Sequence, residues 1–191
     1  MRTEPAPEGA PIEVEGVLWD AGQLAERVRE MGAAISADYA GREVVLVTLL
    51  RGGLFFLSDL CREVADPVRL DFMAISAYGA PHPGGGVRIT KDLDEDIEGR
   101  DVLIVEDIID TGLTLNYLLK VLRSRAPRSL QVAVLLDRDQ RRIADVPIAY
   151  RGFHMPDTFV VGYGLDLKGK LRNLPYIGVV GTDALEAAGT G

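Results

Sequence analysis

The residues of this sequence best suited to chemistry lie in one short acidic segment, VLIVEDIIDTGLT, residues 102–114. Glu106, Asp107 and Asp110 place three carboxylates within five positions, directly after an apolar run. Like charges this close repel, so they require a cation or hydrogen-bond donors such as the paired hydroxyls of a ribose. We therefore interpret Glu106 and Asp107 as a candidate site for a sugar diol or a metal ion.

A small, hydroxyl-rich turn follows these acids. Residues 110–114 read Asp-Thr-Gly-Leu-Thr and lead into a helix with a leucine stripe. The N–H groups and positive dipole at a helix start can cradle a phosphate, and Gly112 permits close approach of a ligand. Taken alone, an Asp or Thr before a helix is more often only an N-cap, but capping needs one acid and not three. Diol-binding acids beside a phosphate cradle predict a site for a ribose 5-phosphate.

Other motifs that resemble this turn do not fit the sequence. The turn lacks the lysine of a GxxxxGK[ST] nucleotide loop, and the dinucleotide pattern GxGxxG is absent. Aspartic proteases also use Asp-Thr-Gly, but they need two such aspartates from repeated lobes or a dimer. This sequence has no second Asp-Thr-Gly, and its pattern is not that of an all-β protein.

Composition limits the class of protein. The chain has 191 residues, 47% of them hydrophobic, and a formal net charge of −8, which argues against a protein that coats nucleic acid or binds a membrane surface through basic residues. Its single cysteine, Cys61, excludes an internal disulfide and is interpreted as a buried thiol. No apolar run reaches membrane-spanning length and no signal pattern opens the chain. We therefore expect a soluble, cytoplasmic protein without nucleic-acid or membrane partners.

The elements that must position the acidic segment alternate between strands and helices. A capping box formed by Asp20 and Gln23 opens the first helix, and the leucine stripe marks a later one. Apolar runs predict strands over residues 44–50, 70–78, 101–105, 130–136 and 158–164. This order predicts a mostly parallel sheet, in which ligands bind beyond the carboxyl ends of the strands. Three polar turns fall there, at residues 51–53, 106–114 and 137–142.

The remaining segments set the domain organisation. We expect a single domain over residues 12–183, with loose tails at 1–11 and 184–191, because neither end has hydrophobic periodicity. The segment 79–87 is rich in glycine and proline and is interpreted as a mobile loop.

Four separate segments resemble type I phosphoribosyltransferases. VEDIIDTGLTL is similar to the phosphoribosyl pyrophosphate (PRPP) motif of that family. LLRGGLFFLSDL, AYG…VRITKDLDEDIEGRDV and PDTFVVGYGLDLKGKLRNLPYIG resemble the first active-site loop, the flexible loop and the hood of its hypoxanthine-guanine branch. The resemblance covers residues 44–180 in the family's order. It implies an α/β fold with a central, mostly parallel sheet flanked by helices and a small hood built from about residues 150–180 plus the N-terminal segment.

The resemblance also implies how PRPP binds. Glu106 and Asp107 would hold the ribose hydroxyls directly or through Mg²⁺, and residues 110–114 would bind the 5-phosphate. Asp110 would lie near N7 of a purine and accept its proton, because the base acidifies as N9 attacks the anomeric carbon; it could also cap the helix. The residues implied in PRPP or nucleotide binding are Glu106, Asp107, Asp110, Thr111, Gly112, Leu113, Thr114, Arg51, Gly52 and Arg172.

The purine and metal roles come from the resemblance as well. Phe159 would stack on the base, the Val160 backbone would read its edge, and Arg138 would donate to the 6-oxo group. Mg²⁺ would be held by Glu106, Asp107 and Asp166, partly through ligand or water, and would neutralise the leaving pyrophosphate. Asp166 would also reach a purine amino group through its neighbouring backbone.

Three residues depart from the family's pattern. Arg138 stands where the family usually has a lysine, and the two side chains are not interchangeable. The choice among hypoxanthine, guanine and xanthine is therefore left open. Ala77 replaces a serine of the flexible loop, and Leu167 follows Asp166 where an aromatic residue is common.

The expected reaction converts PRPP and a 6-oxopurine, hypoxanthine or guanine, to the nucleoside 5′-monophosphate and pyrophosphate. Members of the family often form dimers or tetramers, so the resemblance implies a homodimer or homotetramer. One alternative is an RNA-binding regulator that retains the fold, which would need a basic face that a net charge of −8 disfavours. Another is a transferase for a different base, such as xanthine, adenine or a pyrimidine.

Overall fold

The computed structural model describes residues 13–78 and 86–187. The helices and strands in chain order are β1 (Val14–Trp19), α1 (Ala21–Asp38), β2 (Val44–Leu49), α2 (Gly53–Glu63), β3 (Val68–Tyr78), β4 (Gly86–Lys91), β5 (Asp101–Ile109), α3 (Leu113–Arg123), β6 (Ser129–Asp137), β7 (Tyr150–His154), β8 (Val160–Val161), β9 (Ile177–Val180) and α4 (Thr182–Ala187). The main sheet has six strands in the order β4-β3-β2-β5-β6-β7. All neighbouring strands in it run parallel except β4, which is antiparallel to β3.

Helices cover both faces of this sheet. One hydrophobic cluster joins α1 and α2 to the face that carries Val44 and Leu46. The leucines of α3 pack on the opposite face, against Val45 and Val47. Strand β2 is therefore buried on both sides, as its continuous apolar run predicts. No described helix is long and apolar enough to cross a membrane.

A second, three-stranded antiparallel sheet combines the two ends of the chain in the order β1-β9-β8. We call β1, β8, β9 and the connecting residues 162–176 the hood. Strand β7 pairs with β6 in the main sheet, so the hood begins after β7 and not at residue 150.

The local signals at the first helix are confirmed. Asp20 caps α1, and its capping box with Gln23 is formed by two hydrogen bonds of 2.9 Å. The leucine stripe is also confirmed, since all four of its leucines are buried.

Several predicted boundaries are wrong. Strand β5 runs to Ile109, so residues 106–109 belong to a strand and not to the polar turn. The strand predicted over 158–164 shrinks to the two residues of β8. Residues 86 and 87 of the predicted loop belong to β4, and residues 184–187 of the predicted tail belong to α4. The rest of that loop and of both tails lies outside the described residues.

Strands β1, β4, β7 and β9 were not predicted. They are short or have mixed burial, so an apolar run does not reveal them. They nevertheless complete the edges of the main sheet and two thirds of the hood sheet.

Replacement of Phe56 tests how much the packing of α2 on the main sheet contributes to stability. Its side chain is fully buried between α2 and the sheet. Truncation to alanine leaves a cavity there, so Phe56→Ala is expected to lower the free energy of unfolding by about 3–5 kcal/mol. Urea denaturation measures this loss. The exposed Ile143 supplies the control, since Ile143→Ala is expected to stay within about 0.5 kcal/mol of the wild type. Equal stability of both variants would contradict the packing of α2 on the sheet.

Candidate active site

The acidic end of β5 carries two adjacent carboxyl groups, Glu106 and Asp107. Glu106 is buried, and its Oε1 accepts a hydrogen bond of 3.1 Å from the Leu49 N–H at the end of β2. Burial, and then the neighbouring charge of Asp107, raise the pKa of Glu106 well above its usual value. Within the described ranges neither acid takes part in an ion pair. These carboxylates therefore suit hydroxyl donors or a cation from a ligand.

Asp107 lies against the turn that follows β2. A Cβ added to Gly52 would come within 1.8 Å of Asp107 Oδ2, so a larger residue there would force Asp107 or the turn to move. Burial raises the pKa of Asp107, the nearby Asp166 raises it further, and hydrogen bonds from backbone N–H groups and the Arg172 charge oppose the rise. The peptide bond between Leu50 and Arg51, just before this turn, is cis.

The hood closes over this turn. Arg172 donates to the Gly164 carbonyl at 2.5 Å and pairs with Asp166 Oδ1 at 2.5 Å. A Cβ on Gly164 would lie 2.3 Å from the Gly52 carbonyl oxygen, so the two glycines let the hood and the turn touch. The contact brings a cation and two carboxylates to one edge of the sheet.

The turn after β5 presents its main-chain N–H groups on one side. The carbonyl of Ile109 accepts from the Arg138 N–H at 3.0 Å, that of Asp110 from Arg142 Nε at 3.1 Å, and that of Thr111 from two N–H groups at 2.9 and 3.0 Å. In a trans peptide the next N–H points away from the carbonyl. The N–H groups of Asp110, Thr111 and Gly112 therefore face away from residues 138–144. Such an array, called here the nest, binds anions.

The start of α3 corrects one prediction about Asp110. The N-cap is Gly112, with a φ of 77°, and no side chain caps the helix. Asp110 therefore does not cap the helix, and capping does not account for this acid.

Asp110 instead has one carboxylate oxygen without a partner among the described residues. In the described part of the chain its Oδ1 is buried and has no hydrogen-bond partner. Its Oδ2 lies 3.6 Å from Arg138 Nη1. The ion pair holds one oxygen of the carboxylate, and the other oxygen keeps its capacity to accept a hydrogen bond or a proton.

Only some of the residues predicted to bind the purine lie close together. Arg138 is buried, and its Nη2 donates to the carbonyl of Thr158, next to Phe159. The Phe159 side chain is half-buried and packs against the core of the hood. The Val160 side chain is buried in the main core, so only its backbone is available to a base.

The structure assembles most of the predicted site residues into two neighbouring groups. A cleft of about 180 Å³ has Glu106, Asp110, Thr111, Gly112 and Thr114 among its lining residues. Gly52, Asp107, Asp166 and Arg172 form the second group. Arg51 and Leu113 are exposed, and Leu113 does not line the cleft.

The acids fit a magnesium ion shared with a ligand. The described residues contain no cluster of three or more His, Cys, Asp or Glu side chains that would hold a metal ion by themselves. Asp107 and Asp166, however, lie close enough for the charge of Asp166 to raise the pKa of Asp107, although burial of Asp107 is the larger cause. Mg²⁺ typically takes one or two carboxylates and completes its shell with phosphate oxygens and water.

Sequence reasoning missed three contributors to the site. These are the Leu49 N–H, Asp137 and Arg142. The Leu49 N–H and Arg142 contact residues of β5 and its turn that are distant in the chain, and Asp137 anchors Arg142 from five residues away. The polar run over residues 137–142 was the available signal for Asp137 and Arg142.

Cys61 is half-buried, and burial raises the pKa of its thiol, which is consistent with a structural role.

A mostly parallel sheet with a hood, an acid pair and an adjoining nest of N–H groups is the arrangement expected of a phosphoribosyltransferase. Residues 18–168 match the family model of the phosphoribosyl transferase domain. The chain is 47% identical over 177 residues to the hypoxanthine-guanine phosphoribosyltransferase of Mycobacterium avium, with 89% of this chain and 87% of the relative covered. It is 49% identical over 161 residues to the hypoxanthine phosphoribosyltransferase of Escherichia coli K12, with 83% and 90% covered.

Solved structures agree. A hypoxanthine phosphoribosyltransferase from Staphylococcus aureus superposes with a TM-score of 0.86 at 39% identity, over 92% of this chain and 98% of that one. The chain therefore belongs to the phosphoribosyltransferase family, in its hypoxanthine-guanine branch.

Proposed function

We propose that this protein is a purine-salvage enzyme that transfers the phosphoribosyl group of PRPP to a 6-oxopurine. Hypoxanthine or guanine would give IMP or GMP, with pyrophosphate as the second product. The observation that carries this proposal is the nest of N–H groups directly beside two carboxyl groups, the buried Glu106 and the half-buried Asp107, which form no ion pair with any described residue. The names of the similar proteins from M. avium and E. coli support the same reaction.

In this proposal each part of PRPP has its own place. The nest and the hydroxyls of Thr111 and Thr114 bind the 5-phosphate, while Glu106 and Asp107 accept hydrogen bonds from the ribose hydroxyls. Pyrophosphate lies between the Gly52 turn and Arg172, where the hood meets the sheet. Closure of the hood over this region keeps water from a reacting centre with oxocarbenium character.

Proton transfer falls to Asp110. As N9 of the purine attacks the anomeric carbon and the bond to pyrophosphate breaks, the base becomes more acidic. The unpartnered Oδ1 of Asp110 accepts the proton from N7, and Arg138 holds the other oxygen. Mg²⁺, when bound, offsets the charge of the leaving pyrophosphate, and Glu106, Asp107 and Asp166 are the residues that would hold it.

The preferred base is tested directly by measuring nucleotide formation from PRPP with hypoxanthine, guanine, xanthine, adenine and uracil. We expect turnover with hypoxanthine or guanine and none with adenine or uracil. Exclusive use of xanthine would correct the base but keep the class of enzyme. No product from any base, together with salt-sensitive binding of RNA in a gel shift, would favour the regulator instead.

Arg138 is proposed to set base selectivity. Its guanidinium contacts both Asp110 and the Thr158 carbonyl, and an ammonium cannot reproduce that fork. Arg138→Lys is therefore expected to lower kcat/KM for the preferred purine about tenfold, the effect of losing one hydrogen bond to a charged group. The KM for PRPP should not change. Steady-state kinetics with each purine measures both constants.

The matched control for this variant is Arg141→Lys. Arg141 is exposed and pairs with Asp157 on the surface, so its replacement should leave both constants unchanged. An equal loss in kcat/KM for both variants would remove Arg138 from the purine site.

The proposal also includes a single domain over residues 12–183, without nucleic-acid or membrane partners, in a cytoplasmic homodimer or homotetramer. Light scattering of the purified chain measures the subunit count. A monomer that retains full activity would contradict the oligomer.

A further inference from the structure

The segment after β6 donates four hydrogen bonds to carbonyl groups of residues 109–111, which lead into and form the nest. Three of its carbonyl contacts use N–H groups of the main chain, which every residue there except proline would supply. The exception is the Asp110 carbonyl, which accepts from the side chain of Arg142 at 3.1 Å. The contact that orients the central peptide of the nest therefore depends on the identity of one residue.

Arg142 is itself firmly anchored. Its Nη2 donates to Asp137 Oδ1, and Arg151 binds the other oxygen of the same carboxylate at 2.7 Å. Asp137 is buried at the end of β6, and the Arg142 side chain is only 17% exposed. The aliphatic part of Arg142 also packs under the turn, where a Cβ on Gly112 would lie 2.9 Å from Arg142 Cδ. The guanidinium thus bridges the end of β6 and the nest.

We propose that Arg142 is a positioning residue for the 5-phosphate of PRPP and of the nucleotide product, an inference that rests on the proposed function. A cation bound to the Asp110 carbonyl fixes the peptide that joins Asp110 and Thr111. It turns the Thr111 N–H towards the phosphate and polarises that N–H into a stronger donor. Arg142 itself lies behind the nest and acts through this peptide.

This role makes a selective prediction. Arg142→Ala leaves the Asp110 carbonyl without its donor, and the peptide loses its fixed orientation. The dissociation constants of PRPP and of ribose 5-phosphate are expected to rise about tenfold or more, the effect of losing a hydrogen bond to a charged group. The affinity for pyrophosphate is expected to stay within about twofold of the wild type, because that ligand binds at the Gly52 turn and Arg172.

Isothermal titration of the full chain with ribose 5-phosphate, PRPP and pyrophosphate measures the three affinities. Arg141→Ala is the matched control, since it removes an exposed arginine from the same segment and should leave all three unchanged. Arg142→Lys keeps the positive charge, but an ammonium lacks the fork that contacts the Asp110 carbonyl and Asp137 together. The affinities of this variant for PRPP and ribose 5-phosphate should therefore fall between those of the wild type and Arg142→Ala.

Asp137→Asn tests the same inference without altering the arginine. It weakens the anchor of Arg142, so it should reduce ribose 5-phosphate binding in the same direction but to a smaller extent. If Arg142→Ala does not fold, Asp137→Asn and Arg142→Lys still decide the matter.

The outcomes separate this inference from the proposed function. If the wild type binds neither PRPP nor ribose 5-phosphate, the proposed phosphoribosyl transfer is wrong. If the wild type binds and the Arg142 variants match it, Arg142 has no positioning role. A parallel loss of pyrophosphate binding in those variants would mean general disruption of the fold, and it would overturn the inference as well.

Discussion

Replacement of Asp110 by asparagine is expected to lower kcat about 10²- to 10⁴-fold, the usual contribution of a general base. Asparagine keeps the size and one oxygen of the side chain but accepts no proton at neutral pH. The nest uses the main chain of Asp110 and its neighbours, so the proposed contacts with the 5-phosphate should survive the change. The dissociation constant of PRPP should therefore remain within about threefold of the wild-type value, because the side chain and the main chain of Asp110 have separate roles.

Rapid-quench single-turnover kinetics measures the chemical step, and titration with PRPP measures binding. Asp139→Asn is the matched control, because Asp139 is an exposed acid of the adjacent segment and is not part of the proposed site. An unchanged single-turnover rate in Asp110→Asn would exclude proton transfer to this carboxylate. A large loss of PRPP affinity would instead assign Asp110 to binding.

The acidic segment could be predicted from sequence because its chemistry is local. Carboxylates and a glycine turn lie within a few positions, so their proximity does not depend on the rest of the fold. The length of β5 is not local. Its last residues extend the strand because Ile108 and Ile109 pair with the end of β6, an element more than twenty residues away. The sequence alone does not show whether an acidic residue at this position lies in a strand or in a turn.

The hood was harder to predict for a related reason. The apolar run around Val160 suggested a longer strand, but the chain turns through positive φ at Gly162, Tyr163 and Gly164. Those conformations bring Gly164 onto the Gly52 turn. The sequence resemblance named Arg172 and Asp166 as site residues, but their pairing and their contact with the turn depend on this bend.

Arg142 illustrates what a motif search leaves out. The polar run after β6 marks a strand end near the site, but it contains three arginines. Burial separates them: Arg138 faces Asp110, Arg142 supports the turn from behind, and Arg141 is exposed. Only the three-dimensional arrangement assigns each arginine a different task.

Gly52→Ala is expected to lower kcat/KM for PRPP about 100-fold, the cost of displacing a binding group by roughly 1 Å. Gly52 has helical dihedral angles, φ −60° and ψ −50°, that alanine adopts without strain. The added methyl group would nevertheless lie 1.8 Å from Asp107 Oδ2. Either the carboxylate or the turn must move, and both are proposed to contact PRPP. The loss should therefore appear in the kinetics of PRPP and in its dissociation constant.

The control must add the same methyl group where there is room. A methyl group added to Gly16 in β1 would meet no atom within 4 Å, and Gly16 has no positive φ, so Gly16→Ala should leave kcat/KM for PRPP unchanged. Shortening the opposing side chain provides a second check, since Gly52→Ala combined with Asp107→Ala should lose no more activity than Asp107→Ala alone. If Gly52→Ala matched the wild type, the Gly52 turn would be flexible enough to yield, and the close approach of Asp107 to the backbone would not be required for PRPP binding.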